Sequence, residues 1–128
     1  MSDEESKIQD EAIPIVRRAY QAYIDKHRAA IEALIGGDFH FTSPRDNRIN
    51  QKAYFERCWK NSETITGFTF VNLVADGERV FVTYEGRRST GNPFRNTEIM
   101  TLRNGKIVEV EVHFGWSIPH DAPAGGSI

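Results

Sequence analysis

The sequence predicts an α+β fold, in which about three N-terminal helices pack on a curved, mostly antiparallel sheet to form a cone-shaped α+β barrel. Apolar residues recur at helical spacing in the first third of the chain. The second half consists of alternating apolar and polar runs separated by turn residues, which is typical of strands. Helices followed by consecutive strands favour an α+β arrangement over alternating βαβ units.

The length of 128 residues is enough for one domain with a real core. We expect this domain at residues 10–117, with a flexible N-terminus at 1–9 and a flexible tail at 118–128. A net charge of -2 gives no electrostatic case for nucleic acid, and no apolar run is long enough for a membrane span. A single cysteine cannot form an internal disulfide, so we expect a cytoplasmic protein.

Two helices are predicted before residue 36. The first begins at Asp10 as its cap, and Pro14 fits if it lies in the first turn, where backbone N–H groups have no helical partner. The second is capped by Asp25 and stopped by Gly36-Gly37. The inward face of the first helix is expected to carry Ala12, Val16, Ala19, Tyr20 and Tyr23.

A short strand is predicted at residues 38–43, followed by a polar loop at 45–50 and a third helix at 51–60. The remaining strands are expected at 65–75, at 79–89, and in a hairpin over 94–116. A bent sheet that closes over a long helix leaves a conical cavity, which is where small molecules bind.

The hairpin has two possible registers. A two-residue loop at Asn104-Gly105 would set Glu98 opposite Glu111, which places like charges side by side. A three-residue loop with Gly105 in the left-handed position pairs Leu102 with Lys106, and we prefer it because it makes one apolar face. That face is expected to carry Glu98, Met100, Leu102, Val108, Val110, Val112 and Phe114.

The opposite face of the hairpin mixes apolar and charged residues, so it is not a simple solvent face. It is expected to carry Thr97, Ile99, Thr101, Ile107, Glu109, Glu111 and His113. We expect this outer face to pair with a second copy of the chain, with His113 as an interface residue.

Over residues 12–117 the chain resembles the nuclear transport factor 2-like superfamily, and within it the SnoaL-like branch that includes ketosteroid isomerase relatives. The resemblance rests on Tyr20, on Phe41-Thr-Ser-Pro44, on Ala53-Tyr-Phe-Glu-Arg-Cys-Trp59, and on 97–106 followed by Val112-His-Phe-Gly115. The superfamily contains isomerases, cyclases, epoxide hydrolases, dehydratases and non-catalytic binding modules, so this fold does not fix a function.

The resemblance implies a candidate active site. Ketosteroid isomerases hold an oxyanion with a phenol and a protonated carboxylic acid, and use a carboxylate base. The acid falls on Glu98 and the phenol near Tyr20, whereas the base, which precedes a proline, falls on Ser43. A serine hydroxyl cannot take up a proton at neutral pH, which counts against steroid isomerisation.

Each candidate also has a plainer interpretation. A buried Glu98 would have a raised pKa and could donate a proton, or it could be a structural glutamate satisfied by Tyr20 or an arginine. Asp46 could replace the missing base at the pocket mouth, or bond its own turn backbone. Cys58 beside a tryptophan is more often core than nucleophile, and the histidines have no metal-ligand spacing. The expected pocket residues are Phe41, Ser43, Phe55, Trp59, Tyr84, Met100, Val112 and Trp116.

Three functions remain open from the sequence. The first is a cofactor-free isomerase, cyclase or hydratase that applies general acid–base chemistry to a hydrophobic carbonyl or ring compound, with catalytic residues Glu98, Tyr20 and Asp46. The second is a binding module that holds a small hydrophobic molecule without turnover. The third is a dimeric scaffold without a useful pocket.

Overall fold

The computed structural model describes residues 3–125, with side chains from Glu11 onward. The helices are α1 (Asp3–Ile24), α2 (Arg28–Leu34) and α3 (Gln51–Arg57), followed by a short 3-10 helix at Trp59–Glu63. The strands are β1 (Ile35–Ser43), β2 (Asp46–Asn50), β3 (Ile65–Asp76), β4 (Arg79–Arg88), β5 (Phe94–Arg103) and β6 (Lys106–Ser117). The α+β prediction is therefore confirmed.

All six strands form one sheet in the order β2-β1-β6-β5-β4-β3. Every neighbouring pair is antiparallel except β1 and β6, which run parallel. The sheet is curved but not closed into a barrel. Its concave face carries the helices, and the core lies between these two layers.

The N-terminal helix is longer than predicted. It begins at Asp3, so Pro14 lies inside it and not in its first turn, and Asp10 is not its cap. Proline removes only one backbone donor, and its side chain is exposed here. The buried face carries Ala12, Val16, Ala19 and Tyr20 as expected. Of the segment expected to be flexible, Met1 and Ser2 lie outside the described residues.

Three boundaries near the first strands differ from the prediction. Asp25 does not cap α2, whose N-cap is His27 without a side-chain hydrogen bond. Gly36-Gly37 lies within β1, because this strand begins directly at the end of α2. The polar segment expected to be a loop forms β2, which pairs with β1 through His40 and Asn50 and through Phe41 and Ile49.

The turn between β5 and β6 is the tighter of the two alternatives, so the preferred three-residue loop is wrong. Arg103 pairs with Lys106, and both Asn104 (φ 54°) and Gly105 (φ 76°) have left-handed backbone conformations. These conformations match the primed two-residue turns that suit the twist of hairpin strands.

A β-bulge in β6 nevertheless keeps Glu98 on the same face as Val110 and Val112. Leu102 pairs with Ile107 while Thr101 pairs with Glu109, so Val108 is the extra residue. Beyond it Glu98 pairs with Val112, not with Glu111. The bulge also buries Ile107, which was expected on the outer face.

Replacing Gly105 by alanine tests this turn. We expect Gly105→Ala to lower the free energy of unfolding by about 1–2 kcal/mol, because a β-carbon is unfavourable at left-handed φ. The matched control is Gly37→Ala in β1, where an added β-carbon meets no atom within 4 Å. Chemical denaturation of both variants measures the difference, and equal stabilities would contradict the turn assignment.

Candidate functional site

A cavity of about 520 Å³ lies between the helices and the concave face of the sheet. Its size is within the range of small-molecule sites. The buried aliphatic and phenyl side chains on its wall come from α1, α2 and the sheet: Ala19, Ile31, Ile35, Phe39, Ile65, Met100, Ile107 and Val110. The exposed residues on its wall form the rim, and they include Arg45, Arg88, Phe114 and Trp116.

Glu98 places a carboxyl group on this otherwise largely apolar wall. Its cross-strand neighbours are Val82 on β4 and Val112 on β6. Burial raises the pKa of Glu98 above its usual 4.5, and the hydrogen bond from Tyr84 together with the nearby Tyr20 hydroxyl only partly offsets this rise. No ion pair of the described residues includes Glu98. The environment therefore favours the neutral carboxylic acid.

A chain of hydrogen bonds orients this acid. The Gly115 N–H donates to Asn96 Oδ1 (3.3 Å), which leaves Asn96 Nδ2 to donate to Tyr84 Oη (3.3 Å). Tyr84 Oη in turn donates to Glu98 Oε2 (2.6 Å). Because Oε2 accepts this bond, the proton of the neutral acid belongs on Oε1. Glu98 can thus donate from Oε1 to a ligand.

Tyr20 supplies a second donor on the same wall. Its side chain is only 6% exposed, and aromatic edges of Phe68, Phe70 and Tyr84 surround its ring. Its hydroxyl is close enough to Glu98 to lower the pKa of that acid, yet it forms no proper hydrogen bond with any described residue. A buried hydroxyl without a partner is costly unless a ligand or water completes it.

Asp46 lies on the cavity wall near the rim, and its oxygens are already engaged. Arg57 Nη2 approaches Oδ1 at 2.7 Å, while Ser43 Oγ (3.2 Å) and Cys58 Sγ (3.7 Å) donate to Oδ2. The Asp46 side chain is 8% exposed. Burial, followed by the effect of Asp46, raises the pKa of Cys58 to about 11, so its thiol is neutral and unsuited to nucleophilic attack.

The predicted site residues mostly converge on this one cavity. Its wall includes all three predicted catalytic residues together with Phe41, Ser43, Tyr84, Met100, Val112 and Trp116. Phe55 and Trp59, expected on the wall, are not part of it. Phe55 is buried between the helices with Arg28 stacked on its ring, and the Trp59 ring packs on Phe55 and Tyr23.

Sequence reasoning missed the partners of the acid. Tyr84 was expected to line the pocket but not to bind Glu98, and Asn96 was not singled out. The signal lies in the pairing of β4 with β5: Val82 opposes Glu98, so Tyr84 is its diagonal neighbour on the same face. The register between β4 and β5 cannot be predicted from the sequence unless the residues that form their connecting turn are known.

Neither a metal cluster nor a membrane-spanning helix is found in the part of the chain that the structure describes. Among the described side chains, from Glu11 to Gly125, no group of three or more histidine, cysteine, aspartate or glutamate residues could hold a metal ion. No helix in residues 3–125 is both long and apolar enough to cross a membrane. His113 lies on the outer sheet face as expected, 3.8 Å from Glu111.

Tyr84→Phe tests the hydrogen-bond chain. Because the Tyr84 hydroxyl lowers the pKa of Glu98, removing it should raise that pKa further, as measured by carboxyl carbon NMR across a pH titration. Tyr54→Phe is the matched control, since Tyr54 lines the cavity without bonding Glu98. An unchanged Glu98 titration in Tyr84→Phe would contradict the assigned bond.

Comparison with known proteins identifies the family and the fold. Residues 16–110 match the sequence profile of the SnoaL-like domain. A search of curated proteins found no significant match. Among solved structures, an LEH-like epoxide hydrolase of M. tuberculosis is 17% identical with a TM-score of 0.70, covering 84% of each chain. A candidate ketosteroid isomerase of Kribbella flavida is 14% identical with a TM-score of 0.72, covering 90% of this chain and 84% of that one.

An NTF-2 like protein of unknown function from Burkholderia xenovorans covers 92% of each chain at 23% identity, with a TM-score of 0.69. At these identities the structural likeness concerns the fold alone. The sequence match, in contrast, spans most of the domain and includes Tyr20, Ser43 and Glu98. The chain belongs to the SnoaL-like domain family of the NTF2-like superfamily.

Proposed function

We propose that this protein binds a small hydrophobic carbonyl or ring compound and acts on it as a cofactor-free isomerase, cyclase or hydratase. The observation that supports the proposal is that two hydrogen-bond donors, Glu98 and Tyr20, lie on the wall of one largely apolar cavity. Burial raises the pKa of Glu98, which favours its neutral form, and the buried Tyr20 hydroxyl has no partner among the described residues. Both donors suit a single ligand oxygen.

The two donors would stabilise charge that develops on a ligand carbonyl. When a proton leaves the neighbouring carbon, or a nucleophile adds, the carbonyl oxygen becomes negative. Preoriented donors in a cavity of low polarity stabilise that oxygen more strongly than water does. Glu98 can also transfer its proton to the ligand oxygen, because its raised pKa lies nearer to neutrality than the pKa of an exposed glutamate.

The candidate base, Asp46, has less structural support than the two donors. Ser43 occupies the position where the resemblance would place a carboxylate, and its hydroxyl donates to Asp46. Asp46 is our candidate base, but Arg57, Ser43 and Cys58 already engage its oxygens. This arrangement is the specific observation that favours the second candidate function, a module that binds the same ligand without turnover.

Carbonyl recognition can be tested with β-tetralone and tetralin, which share a shape but differ in the ketone oxygen. We expect the wild type to bind the ketone about tenfold more tightly, the worth of roughly one hydrogen bond. The preference should be present at low pH and lost as the pH rises through the raised pKa of Glu98, because the carboxylate cannot donate. Calorimetric titration across pH measures both effects.

Variants of Glu98 separate the two candidate functions. Glu98→Gln keeps a donor but no transferable proton, so it should retain the ketone preference without pH dependence, whereas Glu98→Leu should lose the preference. If the protein is an enzyme, the wild type will catalyse deuterium exchange next to the ketone and Glu98→Gln will not. Binding without exchange supports the binding module. Glu56→Gln, an exposed change on α3, is the control. Equal affinity for ketone and hydrocarbon in the wild type contradicts both functions.

We also propose that two copies of the chain associate through the outer sheet face. A row of cross-strand neighbours on this face runs through Val74, Phe81, Ile99 and Glu111. Val74 is 56% exposed. A row of three apolar side chains that ends at the carboxylate of Glu111 suits a self-complementary two-fold contact.

A charge placed in this row tests the association. We expect Val74→Glu to convert a dimer into a monomer, because two-fold symmetry brings each new carboxylate into a desolvated contact. Sedimentation analysis gives the mass, and Val71→Glu, an exposed residue of the same strand, serves as the control. A monomeric wild type would contradict the proposal.

A further inference from the structure

The cavity rim carries two arginines whose charges no described group balances. Arg45 lies in the β1–β2 turn and Arg88 ends β4, and both are exposed while lining the cavity. Neither takes part in an ion pair of the described residues. Other arginines near the rim are engaged: Arg57 by Asp46 and Arg95 by Glu85.

The two charges flank the rim from different parts of the sheet. In the strand order, β1 and β2 form one edge, whereas β4 is separated from β1 by β6 and β5. A group at the rim would therefore have one arginine on the β1 side and one on the β4 side. Guanidinium groups in such positions suit a carboxylate, which they can bind in a planar, bidentate manner.

Arg88 is held at the rim and its charge acts inside the cavity. Its guanidinium stacks on the ring of Phe94, 4.3 Å from the centroid, and Phe94 itself lines the cavity. Burial and Glu98 raise the pKa of Tyr23, and Arg88 works against this rise. Arg88 is thus close enough to affect a cavity tyrosine rather than only bulk solvent.

The rim of the cavity carries the positive charge of two unpaired arginines, although the whole chain has a net charge of -2. The charged residues on the wall are Arg45, Asp46, Arg88 and Glu98. Arg57 offsets Asp46, and Glu98 is favoured in its neutral form. An excess of positive charge at a cavity mouth attracts anionic ligands and increases their rate of association.

We propose that the ligand is an amphiphilic keto acid, whose carbonyl binds at Glu98 and Tyr20, whose apolar body fills the cavity, and whose carboxylate binds Arg88 and Arg45 at the rim. The carbonyl end rests on the proposed function above. The carboxylate end rests on the rim arginines alone. The two ends can therefore fail separately.

Three matched probes distinguish carbonyl binding from carboxylate binding. They are γ-benzoylbutyrate, its methyl ester, and δ-phenylvalerate, which lacks the ketone oxygen. We expect the keto acid to bind about five- to tenfold more tightly than its ester, although the ester is the more hydrophobic molecule. Added salt should reduce this preference. Quenching of protein fluorescence, checked by calorimetry, gives the dissociation constants.

The arginine variants assign the preference to the rim. Arg88→Gln and Arg45→Gln should each reduce the acid-to-ester ratio about threefold and leave ester binding unchanged. Arg79→Gln is the matched control, because this arginine also stacks on a phenyl ring, Phe81 at 5.1 Å, but does not line the cavity. Thermal unfolding of all three variants verifies that they fold.

Each outcome decides one proposal or both. Equal or tighter binding of the ester, or a ratio unaffected by Arg88→Gln and Arg45→Gln, overturns the carboxylate assignment and leaves carbonyl binding intact. Tighter binding of the acid than of the ester, but equal binding of γ-benzoylbutyrate and δ-phenylvalerate, supports the rim site and overturns the carbonyl site. Failure of all three probes to bind overturns both.

Discussion

The hydrogen bond between Tyr84 and Glu98 is the interaction on which the site depends. A carboxyl group on an apolar wall is unfavourable in its charged form, and no cation among the described residues offsets it. Tyr84 satisfies one carboxyl oxygen without neutralising a charge, and Asn96 sets the direction in which the tyrosine donates. Burial therefore favours the neutral acid, and the Tyr84 hydrogen bond orients it.

The aromatic wall around this acid is part of the same arrangement. Tyr20 meets Phe68, Phe70 and Tyr84 edge to face, so its ring is fixed although its hydroxyl is free. Rigid aromatic packing holds both donors in position before a ligand arrives. Binding then requires little reordering of the protein, which is the condition for strong recognition in a small cavity.

The fold class could be predicted from the sequence because helical spacing and strand alternation depend on local patterns. Glu98, Tyr20 and Asp46 were predicted as site residues through the resemblance to the family and through alternation in β5, and in the structure all three line one cavity. The pairing of Tyr84 with Glu98 could not be predicted, because it depends on the register between β4 and β5. β2 was missed because its polar residues carry no apolar alternation, and its strand character comes from pairing with β1.

The predicted three-residue turn of the β5–β6 hairpin was wrong for a specific physical reason. Alternation required Glu98, Met100, Val110 and Val112 to share a face, and the structure satisfies this with a tight turn plus one extra residue at Val108, not with a longer turn. The two solutions bury a similar face but differ in the pairing of Arg103 with Lys106 and in the left-handed backbone of Asn104. Phe114, expected inside, lies at the rim with 52% of its surface exposed.

The extra residue at Val108 separates the length of β6 from the direction of its later side chains. If Val108 paired regularly with Thr101, Glu111 would face into the cavity opposite Glu98, and Val110 and Val112 would turn toward solvent. Loss of Val108 itself would leave a regular ladder in which Thr101 still opposes Glu109 and Glu98 still opposes Val112. Divergence within this lineage should therefore tolerate a deletion at Val108 better than a deletion at the neighbouring positions of β6.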